Sequence, residues 1–386
     1  MKQKIAILGS TGSIGKTLIK ILKEDINKFD IVFLTANKNY KTILNQARVL
    51  KVKNIIITDK KNYLKSKKIN KSNKINIYNN YDCIDKILKK KIDYIMSAIS
   101  GLEGLSPTLK VIKFTKKIAI ANKEALICGW NLIKDELSKF NTEFLPVDSE
   151  HFSIWYALKN NRDTIKEVVL TASGGPFYNL PIKKFKNIKI NQALKHPNWK
   201  MGKKISIDSA TMMNKVFEVI EAKNIFDIEY KKLKILNHPR SYVHALVHFN
   251  NGMSKIIVHD TNMKIPIFNT LYNNSSKKII SKSLNLNILN DLSLRQVDYN
   301  KFPLVNILKT MPNNFSLFET IIVSANDAFV DLFLNNKIKF TDISKKILRF
   351  INLKEFIKYK KISPKKIQDI TNLDKLVRFK IETKSI

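Results

Sequence analysis

Five short runs of apolar residues recur through the first 125 residues, and a polar or amphipathic stretch follows each of them. The runs are IAIL at 5–8, IVFL at 31–34, NIII at 54–57, YIMSAI at 94–99 and IAIA at 118–121. Because they are apolar without alternation, they predict parallel strands that are buried on both faces. TLIKILKE after the first run and LSPTLKVIKF after the fourth predict crossover helices. The sequence therefore predicts an α/β fold with a doubly wound parallel sheet.

The remaining segments have other patterns. Residues 60–82 are polar and low in complexity, which predicts a surface helix and loop outside the main core. Beyond residue 150, longer helical patterns alternate with strands, a polar break falls at 271–278, and helical spacing prevails from about residue 300. We expect three parts: 1–149 with the doubly wound sheet, 150–285 with a central α/β arrangement, and 286–386 with a linker and a small helical domain.

Two histidines of SYVHALVHF, at 241–249, are spaced like a zinc pair on a helix. His244 and His248 are four residues apart, but Ala245 stands where a metalloprotease needs its glutamate. The alternation of the segment instead favours a strand with Val243, Ala245 and Val247 on its core face.

The start of the chain and its cysteines bear on where the protein works. MKQKIAILGS leads directly into the first strand and holds no apolar stretch long enough for a signal or a membrane span. Cys83 and Cys128 lie far apart without metal-ligand spacing, which favours a reducing compartment. With 44% hydrophobic residues among 386, the sequence predicts a globular, cytoplasmic protein with no membrane partner.

The formal net charge of +37 suggests attraction to nucleic acids or other polyanions. The lysines, however, are spread along the chain together with many Asn and Ile, a pattern typical of compositional drift. The sequence has no basic recognition helix, no basic-aromatic stacking motif and no zinc finger. We therefore expect non-specific attraction to polyanions and no dedicated nucleic-acid partner.

A glycine-rich segment, GSTGSIG at 9–15, follows the first predicted strand and opens a helix. Gly9, Gly12 and Gly15 would let the backbone turn tightly and approach a pyrophosphate, which would lie at the positive end of the helix. The spacing differs from the commonest dinucleotide fingerprint, but the position between strand and helix is the one that the motif requires.

The end of the second strand predicts which dinucleotide binds. An acid there would bind the ribose 2′-hydroxyl of NAD, whereas here the strand runs into TANKN, and Asp30 lies at its other end. Lys38, between Asn37 and Asn39, suits a 2′-phosphate through charge and amide donors, and so favours NADPH. The alternative is an ordinary polar turn.

FLPVDSEH, at 144–151, places two acids and a histidine where an apolar run stops. In an extended segment Asp148 and Glu150 would point the same way and repel each other unless a cation or a proton lay between them. The alternative is a polar loop before a helix that begins near Ile154, with Glu150 in its first turn.

Four further segments are rich in polar groups: IANKEAL at 120–126, TASGGPF at 171–177, HPNWKMG at 196–202 and KISIDSATMMNKVFEVIEA at 204–222. The first ends a buried strand, where open sheets bind ligands, and the second is a turn able to surround an anion. In the last, the i, i+4 and i, i+3 spacings let Asn214, Lys215 and Glu218 share one helix face. A solvated face with one ion pair is the alternative, although apolar neighbours indicate a buried helix.

Together, the motifs GSTGSIG, ANKEAL, LPVDSEH, SGGPF, HPNWKMG and DSATMMNK resemble 1-deoxy-D-xylulose 5-phosphate reductoisomerases of non-mevalonate isoprene biosynthesis, and the resemblance spans nearly the whole chain. It implies a Rossmann-type NADPH-binding domain, a central catalytic domain with a flexible lid at about 196–204, a C-terminal helical domain and a homodimer. It also implies retro-aldol cleavage and aldol recombination of the sugar phosphate, then hydride transfer from NADPH to give 2-C-methyl-D-erythritol 4-phosphate.

The resemblance assigns roles to individual residues. Asp148, Glu150 and Glu218 would bind Mg²⁺ or Mn²⁺, with Co²⁺ as a further candidate, because all-oxygen ligation suits hard cations. With Lys123, which would bridge this site and the substrate, they form the catalytic set. The same acids and lysine would contact substrate, as would Ser149, Ser173, His196, Trp199, Met201, Ser209, Asn214 and Lys215. NADPH would be bound by Thr11, Gly12, Ser13, Ile14, Asn37, Lys38, Asn39, Asn122, Glu124 and Gly202.

Three positions depart from the family pattern. Asn37 and Val216 stand where glycine is usual, and Arg240 stands for a usual glutamine. None of them is one of the three acids expected to bind the metal ion, so we expect activity with altered cofactor affinity. A plain NADP dehydrogenase, without a metal requirement or skeletal rearrangement, is the competing enzyme class, and a nucleic-acid-binding protein is the non-enzymatic one.

Overall fold

The computed structural model describes residues 1–70, 74–159, 163–272 and 277–383, which form two compact units. The first unit comprises the described parts of Met1–Leu126, Leu132–Asp148 and Met263–Ile279. The second comprises those of Ile127–Asn131, Ser149–Asn262 and Ile280–Ile386. The expected three-part division with boundaries near 149 and 285 stays a prediction. In the described residues, no helix is both long and apolar enough to span a bilayer.

The secondary-structure elements of the described residues are as follows. The strands are β1 Gln3–Leu8, β2 Phe29–Ala36, β3 Asn54–Ile57, β4 Asn76–Tyr78, β5 Ile92–Ser97, β6 Thr115–Ile120, β7 Glu143–Pro146, β8 Ile165–Ala172, β9 Leu233–Asn237, β10 Val243–Phe249, β11 Ser254–Val258 and β12 Arg295–Gln296. The α-helices are α1 Ser13–Lys23, α2 Tyr40–Val49, α3 Lys60–Ile69, α4 Ile84–Ile87, α5 Leu105–Ile112, α6 Lys123–Lys139, α7 Ser149–Leu158, α8 Ile190–Ala193, α9 Lys203–Ala210, α10 Met213–Phe226, α11 Lys264–Leu271, α12 Leu286–Asn290, α13 Phe318–Leu334, α14 Phe340–Ile351, α15 Lys354–Ile357 and α16 Ile367–Thr383.

The first unit contains a parallel sheet of seven strands in the order β4-β3-β2-β1-β5-β6-β7. All five predicted strands are present, and the predicted crossover helices are α1 and α5. The order reverses between β1 and β5, so the doubly wound fold is confirmed. At such a reversal, the carboxyl ends of the two strands open a crevice in which α/β proteins bind their ligands.

The polar run 60–82 differs in part from its prediction. It contains the expected surface helix, α3, but it also supplies β4, which pairs with β3 in parallel and extends the sheet. Ile75 and Ile77 are both 8% exposed, so this end of the run belongs to the core. The prediction was wrong there because the surrounding Lys and Asn mask two alternating apolar residues. Positions 71–73 of the run lie outside the described residues.

The second unit contains a mixed sheet in the order β11-β10-β8-β9-β12. SYVHALVHF forms β10, as expected, with antiparallel neighbours β8 and β11. Val243, Ala245 and Val247 are fully buried, but His244 on the other face is also only 2% exposed. Because the strand is central and has cover on both faces, its alternation does not separate core from solvent.

The C-terminal part is helical, as expected, and α13 packs against α14 and α16. Phe329 and Phe350 meet edge to face in this bundle, with ring centroids 6.1 Å apart. A buried polar contact joins the bundle to α9, because the Asn326 amide donates to the Asp208 carboxylate at 2.8 Å. The fold thus ties the helix that follows the predicted lid to the C-terminal helices. Of the polar break at 271–278, positions 273–276 lie outside the described residues.

One buried acid makes the stability of the second unit depend on pH. Glu319, in the first turn of α13, is 1% exposed, and its carboxylate accepts a hydrogen bond from the Ser316 hydroxyl at 2.6 Å. Burial raises the pKa of Glu319 to about 7, since the apolar surroundings disfavour the charged form.

We expect Glu319→Gln to remove this pH dependence. An acid whose pKa is raised by folding stabilises the fold fully below its unfolded pKa, and this stabilisation is lost as pH rises through the folded pKa. Between about pH 4.5 and pH 7 the wild type should therefore lose about 3 kcal/mol that the variant keeps. Thermal-unfolding midpoints at pH 5 and pH 8 measure the effect, and exposed Glu382, replaced by Gln, is the control. Equal pH dependence in wild type and Glu319→Gln would contradict the assignment.

Candidate active site

The glycine loop lies at the carboxyl end of β1, where the strand order reverses. Gly9 has a φ of +80°, and a Cβ on it would lie 2.5 Å from the carbonyl oxygen of Ala98, which follows β5. A Cβ on Gly15 would lie 2.4 Å from the Gly9 carbonyl oxygen. Both positions therefore require glycine, and the loop leads directly into the first turn of α1. The backbone N–H groups there are the donors that a pyrophosphate uses.

The predicted 2′-phosphate residues lie in the neighbouring loop, between β2 and α2. Asn37, Lys38 and Asn39 are all exposed, as a site for a soluble cofactor requires. Asn39 caps α2 by accepting a hydrogen bond from the Thr42 N–H at 3.2 Å, and the Asn37 amide donates to the Thr58 hydroxyl at 2.8 Å. Lys38 is thus held between two anchored residues. Its contact with NADPH stays a prediction.

Asn122 has a structural role in addition to the one expected of it. It is 3% exposed and caps α6, accepting from the Ala125 N–H at 2.8 Å. Its amide also donates to the carbonyl oxygens of Ile99 and Gly101. Asn122 therefore fixes the loop that follows β5, beside the glycine loop. The next residue, Lys123, contacts the Asp148 carboxylate within the same unit.

In the second unit, Glu150 and Glu218 converge on one ammonium group. Lys215 Nζ donates to Glu150 Oε1 at 2.7 Å and also contacts Glu218 Oε2. The Asn214 amide contacts the other oxygen of Glu218, so the predicted helix face on α10 is present. Burial by itself would lower the pKa of Lys215, but the two carboxylates raise it. The ammonium therefore stays charged between the two acids.

Asp148 completes a set of three acids that could hold a cation. It is the last residue of the first unit and precedes Glu150 by two positions in the chain. One carboxylate oxygen each from Asp148, Glu150 and Glu218 lies within 4.8 Å of the others. Hard divalent cations prefer such an oxygen set, so the donors fit Mg²⁺ or Mn²⁺. Glu150 lies in the first turn of a helix that begins at Ser149, as the alternative predicted, but the extended conformation and the helix start near Ile154 were wrong.

His151 is a residue near these acids to which sequence reasoning gave no role. It is fully buried, and its Nε2 lies 2.8 Å from the backbone oxygen of Glu218. Its Nδ1 lies 3.9 Å from Glu221, which is also buried. His151 thus joins the first turn of α7 to the part of α10 that carries Glu218. The signal that could have indicated a role for His151 was its place directly after Glu150 in the sequence.

Ser173 and His196, two of the predicted substrate residues, contact each other. The N–H groups of Asn198 and Trp199 donate to His196 Nδ1 at 3.1 and 3.0 Å, so the ring proton is on Nε2. Nε2–H then donates to the Ser173 hydroxyl oxygen at 3.0 Å, which also accepts from the Gly175 N–H. Burial lowers the pKa of His196 to about 4. The neutral imidazole leaves the Ser173 hydroxyl hydrogen available to another acceptor.

The other predicted substrate residues lie near this pair or on the predicted lid. A Cβ on Gly175, which has a φ of +65°, would lie 2.7 Å from the backbone oxygen of Ser209, so the SGGPF turn lies against α9. Trp199 and Met201 lie on the loop between α8 and α9, and Gly202 precedes α9 as its N-cap. Trp199 meets the His244 ring edge-on, with centroids 6.2 Å apart.

The doubly wound sheet with its glycine loop and the set of three acids are typical of one class of protein, a dinucleotide-dependent oxidoreductase that uses a divalent metal. Family models for 1-deoxy-D-xylulose 5-phosphate reductoisomerase match residues 5–129, and models for its C-terminal domains match 144–226 and 259–380. The chain belongs to the 1-deoxy-D-xylulose 5-phosphate reductoisomerase family.

Individual relatives agree with this assignment. The chain is 57% identical to the 1-deoxy-D-xylulose 5-phosphate reductoisomerase of Pelagibacter ubique over 387 aligned positions, covering 100% of both chains. It is 37% identical to that of Clostridium novyi, covering 99% of both. Among solved structures, a DOX-P reductoisomerase in complex with NADPH, fosmidomycin and magnesium matches with a TM-score of 0.89 at 31% identity, covering 98% of this chain and 97% of that one. The Zymomonas mobilis enzyme in complex with NADPH matches with a TM-score of 0.87 at 30% identity, covering 98% of each. The predicted family is confirmed.

Proposed function

We propose that this chain performs the reaction of its family, with the residues described above in the roles given below. The enzyme converts 1-deoxy-D-xylulose 5-phosphate to 2-C-methyl-D-erythritol 4-phosphate, using NADPH and a divalent metal ion, in non-mevalonate isoprenoid precursor biosynthesis. The observation that carries the residue assignment is the convergence of Asp148, Glu150 and Glu218 within 4.8 Å in a chain that also has the dinucleotide-binding loop.

The three acids would hold Mg²⁺ or Mn²⁺. When bound, the metal acts as a Lewis acid towards the ketone and hydroxyl oxygens of the substrate. Asp148, Glu150 and Glu218 would fix the position of the metal, with Ser149 beside them, since its hydroxyl donates to Glu150 at 2.6 Å. Lys123, in contact with Asp148, would lie between the acids and the substrate oxygens.

Lys215 would interact with the two glutamates and, when substrate is bound, with the substrate phosphate. Its ammonium supplies the positive charge between Glu150 and Glu218. With a divalent metal held by these acids, the ammonium would be available to the substrate phosphate. Lys215 thus keeps the half-buried Glu150 carboxylate and the buried Glu218 carboxylate together, although like charges at that separation would repel each other.

The phosphate end of the substrate would lie at the SGGPF turn. The Ser173 hydroxyl, which accepts from His196 and Gly175, keeps its own hydrogen for a phosphate oxygen. Ser209 and Asn214 would add further donors. Trp199 and Met201 would then cover the carbon skeleton and keep water away from reactive fragments.

NADPH would bind at the carboxyl end of the parallel sheet. Thr11, Gly12, Ser13 and Ile14 surround the N-terminus of α1, where the pyrophosphate would lie, and Lys38 would meet the 2′-phosphate. When bound, NADPH supplies the hydride. Glu124 and Gly202 are proposed as further contacts by their match to the family motifs.

The decisive experiment follows NADPH absorbance with 1-deoxy-D-xylulose 5-phosphate, with and without Mg²⁺. We expect oxidation only when metal and substrate are both present, and a branched product by NMR. An unbranched product, or oxidation that persists in EDTA, would instead identify a plain NADP dehydrogenase.

Assembly and location are proposed from the family resemblance and from the cysteines. We propose a homodimer, in line with the family resemblance, so light scattering should give twice the chain mass of 44.6 kDa. We propose a cytoplasmic location, because Cys83 and Cys128 are both buried thiols. A monomeric mass at micromolar concentration would contradict the dimer.

We propose that the chain has no dedicated nucleic-acid partner, despite its formal net charge of +37. Charge attraction alone predicts that binding to random oligonucleotides falls steeply between 50 and 200 mM salt. Sequence-dependent binding that survives the higher salt concentration would contradict this.

A further inference from the structure

Four aromatic rings form a continuous row in the second unit, which we term the aromatic stack: Phe152, His259, His244 and Trp199. The edge of one ring meets the face of another between Phe152 and His259, with centroids 6.4 Å apart, and again between Trp199 and His244 at 6.2 Å. The two imidazoles lie face to face, 3.7 Å apart with an interplanar angle of 17°. The row runs from α7, which carries Glu150, to the loop that carries Trp199.

The two central rings are held firmly. His244 and His259 are 2% and 8% exposed, and His244 lies on the central strand β10. His244 Nε2 lies 3.2 Å from the His259 backbone oxygen, and His259 Nδ1 lies 2.8 Å from that of Asp260. Each of these nitrogens faces a carbonyl acceptor and therefore carries the ring proton. Burial lowers the pKa of His259, so its ring is neutral at neutral pH and can stack closely on its neighbour.

The loop above the stack is tied to its surroundings by hydrogen bonds of Asn198 and of the Trp199 backbone. The Asn198 amide donates to the backbone oxygen of Pro239 and to the Ser241 hydroxyl, at 2.7 and 2.8 Å. The backbone N–H of Trp199 donates a hydrogen bond to His196 Nδ1. The indole itself packs against the ring below it, His244.

The side chain of His259 carries an unfavourable free-energy term, because one of its ring nitrogens is buried without a hydrogen bond in the described part of the chain. Its Nε2 is buried and has no hydrogen-bond partner among the described residues. An unpaired buried acceptor costs about 1–3 kcal/mol, so an apolar ring would give a more stable fold. The flat ring at this position is what supports His244 from behind, through the face-to-face contact at 3.7 Å.

We propose that His259 is a positioning residue that acts through His244 to hold the Trp199 indole in the orientation needed to close over the substrate. The proposal rests on the proposed function, in which Trp199 belongs to the lid. His259 touches neither substrate nor cofactor in this scheme. Its effect should therefore appear in substrate affinity more than in the chemical step.

The test compares His259→Ala, which removes the ring, with His259→Phe, which restores a flat ring without nitrogens. In His259→Ala we expect the KM for 1-deoxy-D-xylulose 5-phosphate to rise about ten-fold, with kcat within about three-fold of wild type, because only lid closure is weakened. His259→Phe should bring KM back to within about three-fold. His248→Ala, on the strand that carries His244 but outside the stack, is the matched control and should leave KM unchanged.

A second readout does not depend on activity. With Trp130 and Trp155 replaced by Phe, Trp199 is the one remaining indole of the chain. Acrylamide quenching of its fluorescence should increase about two-fold in His259→Ala and stay at the wild-type level in His259→Phe. Unchanged quenching and KM in a folded His259→Ala protein would overturn the proposal, as would a His259→Phe variant that behaves like His259→Ala. A wild type without turnover would refute the proposed function instead, while the quenching comparison would still decide the role of His259.

Discussion

Replacing Glu150 by glutamine is expected to lower kcat at least about 1,000-fold, or about 4 kcal/mol of transition-state stabilisation. Glutamine has nearly the same shape and keeps an oxygen for Lys215, which lies 2.7 Å from Glu150. It removes one of three negative charges from a cluster within 4.8 Å, and a divalent cation depends on that charge. The Mn²⁺ affinity, measured by electron paramagnetic resonance, should fall in parallel.

Affinity for NADPH separates this effect from misfolding. Glu150 lies on α7 in the second unit, whereas the glycine loop lies in the first, so the Kd for NADPH should stay within about two-fold of wild type. Glu167→Gln is the matched control, because Glu167 lies in the same unit and pairs only loosely with Lys234 at 3.9 Å. Turnover of Glu150→Gln within ten-fold of wild type would remove Glu150 from the metal site.

Replacing Gly9 by alanine is expected to raise the Kd for NADPH at least about 100-fold, or about 2.7 kcal/mol. The new Cβ would lie 2.5 Å from the Ala98 carbonyl oxygen and 2.8 Å from its carbonyl carbon. Neither atom is the flexible end of a side chain, so the loop itself must move away from β5. The N–H groups at the start of α1 would then no longer face the pyrophosphate together.

Gly252→Ala is a control that separates the steric clash of the new Cβ from the strain of a positive φ. Gly252 has a φ of +86°, close to the +80° of Gly9, but a Cβ on it would meet nothing within 4 Å. It should cost about 1 kcal/mol of stability from backbone strain alone and leave NADPH binding unchanged. If both variants bind NADPH equally well, the glycine loop is not the dinucleotide site.

The sequence predicted the first unit well because its signals are local. Strands buried on both faces appear as unbroken apolar runs, and the glycine loop is recognised from its place between β1 and α1. The failures have equally local causes. β4 was missed because Ile75 and Ile77 are embedded among Lys and Asn, and the start of α7 was misplaced because Ser149 and Glu150 suit a loop as well as a first helical turn.

By itself, the sequence determined the class of fold, the family and the helix face shared by Asn214, Lys215 and Glu218. These depend on periodicity, on motif spacing and on contacts three or four residues apart, which the chain carries within short segments. Only the tertiary structure decided that Glu150 and Glu218 share Lys215, that His196 meets Ser173 and that His259 stacks on His244. Residues in each of those pairs are 15 to 68 positions apart, and strand register and helix packing bring them together. Such contacts are fixed by the burial of the whole core, which no short stretch of sequence encodes.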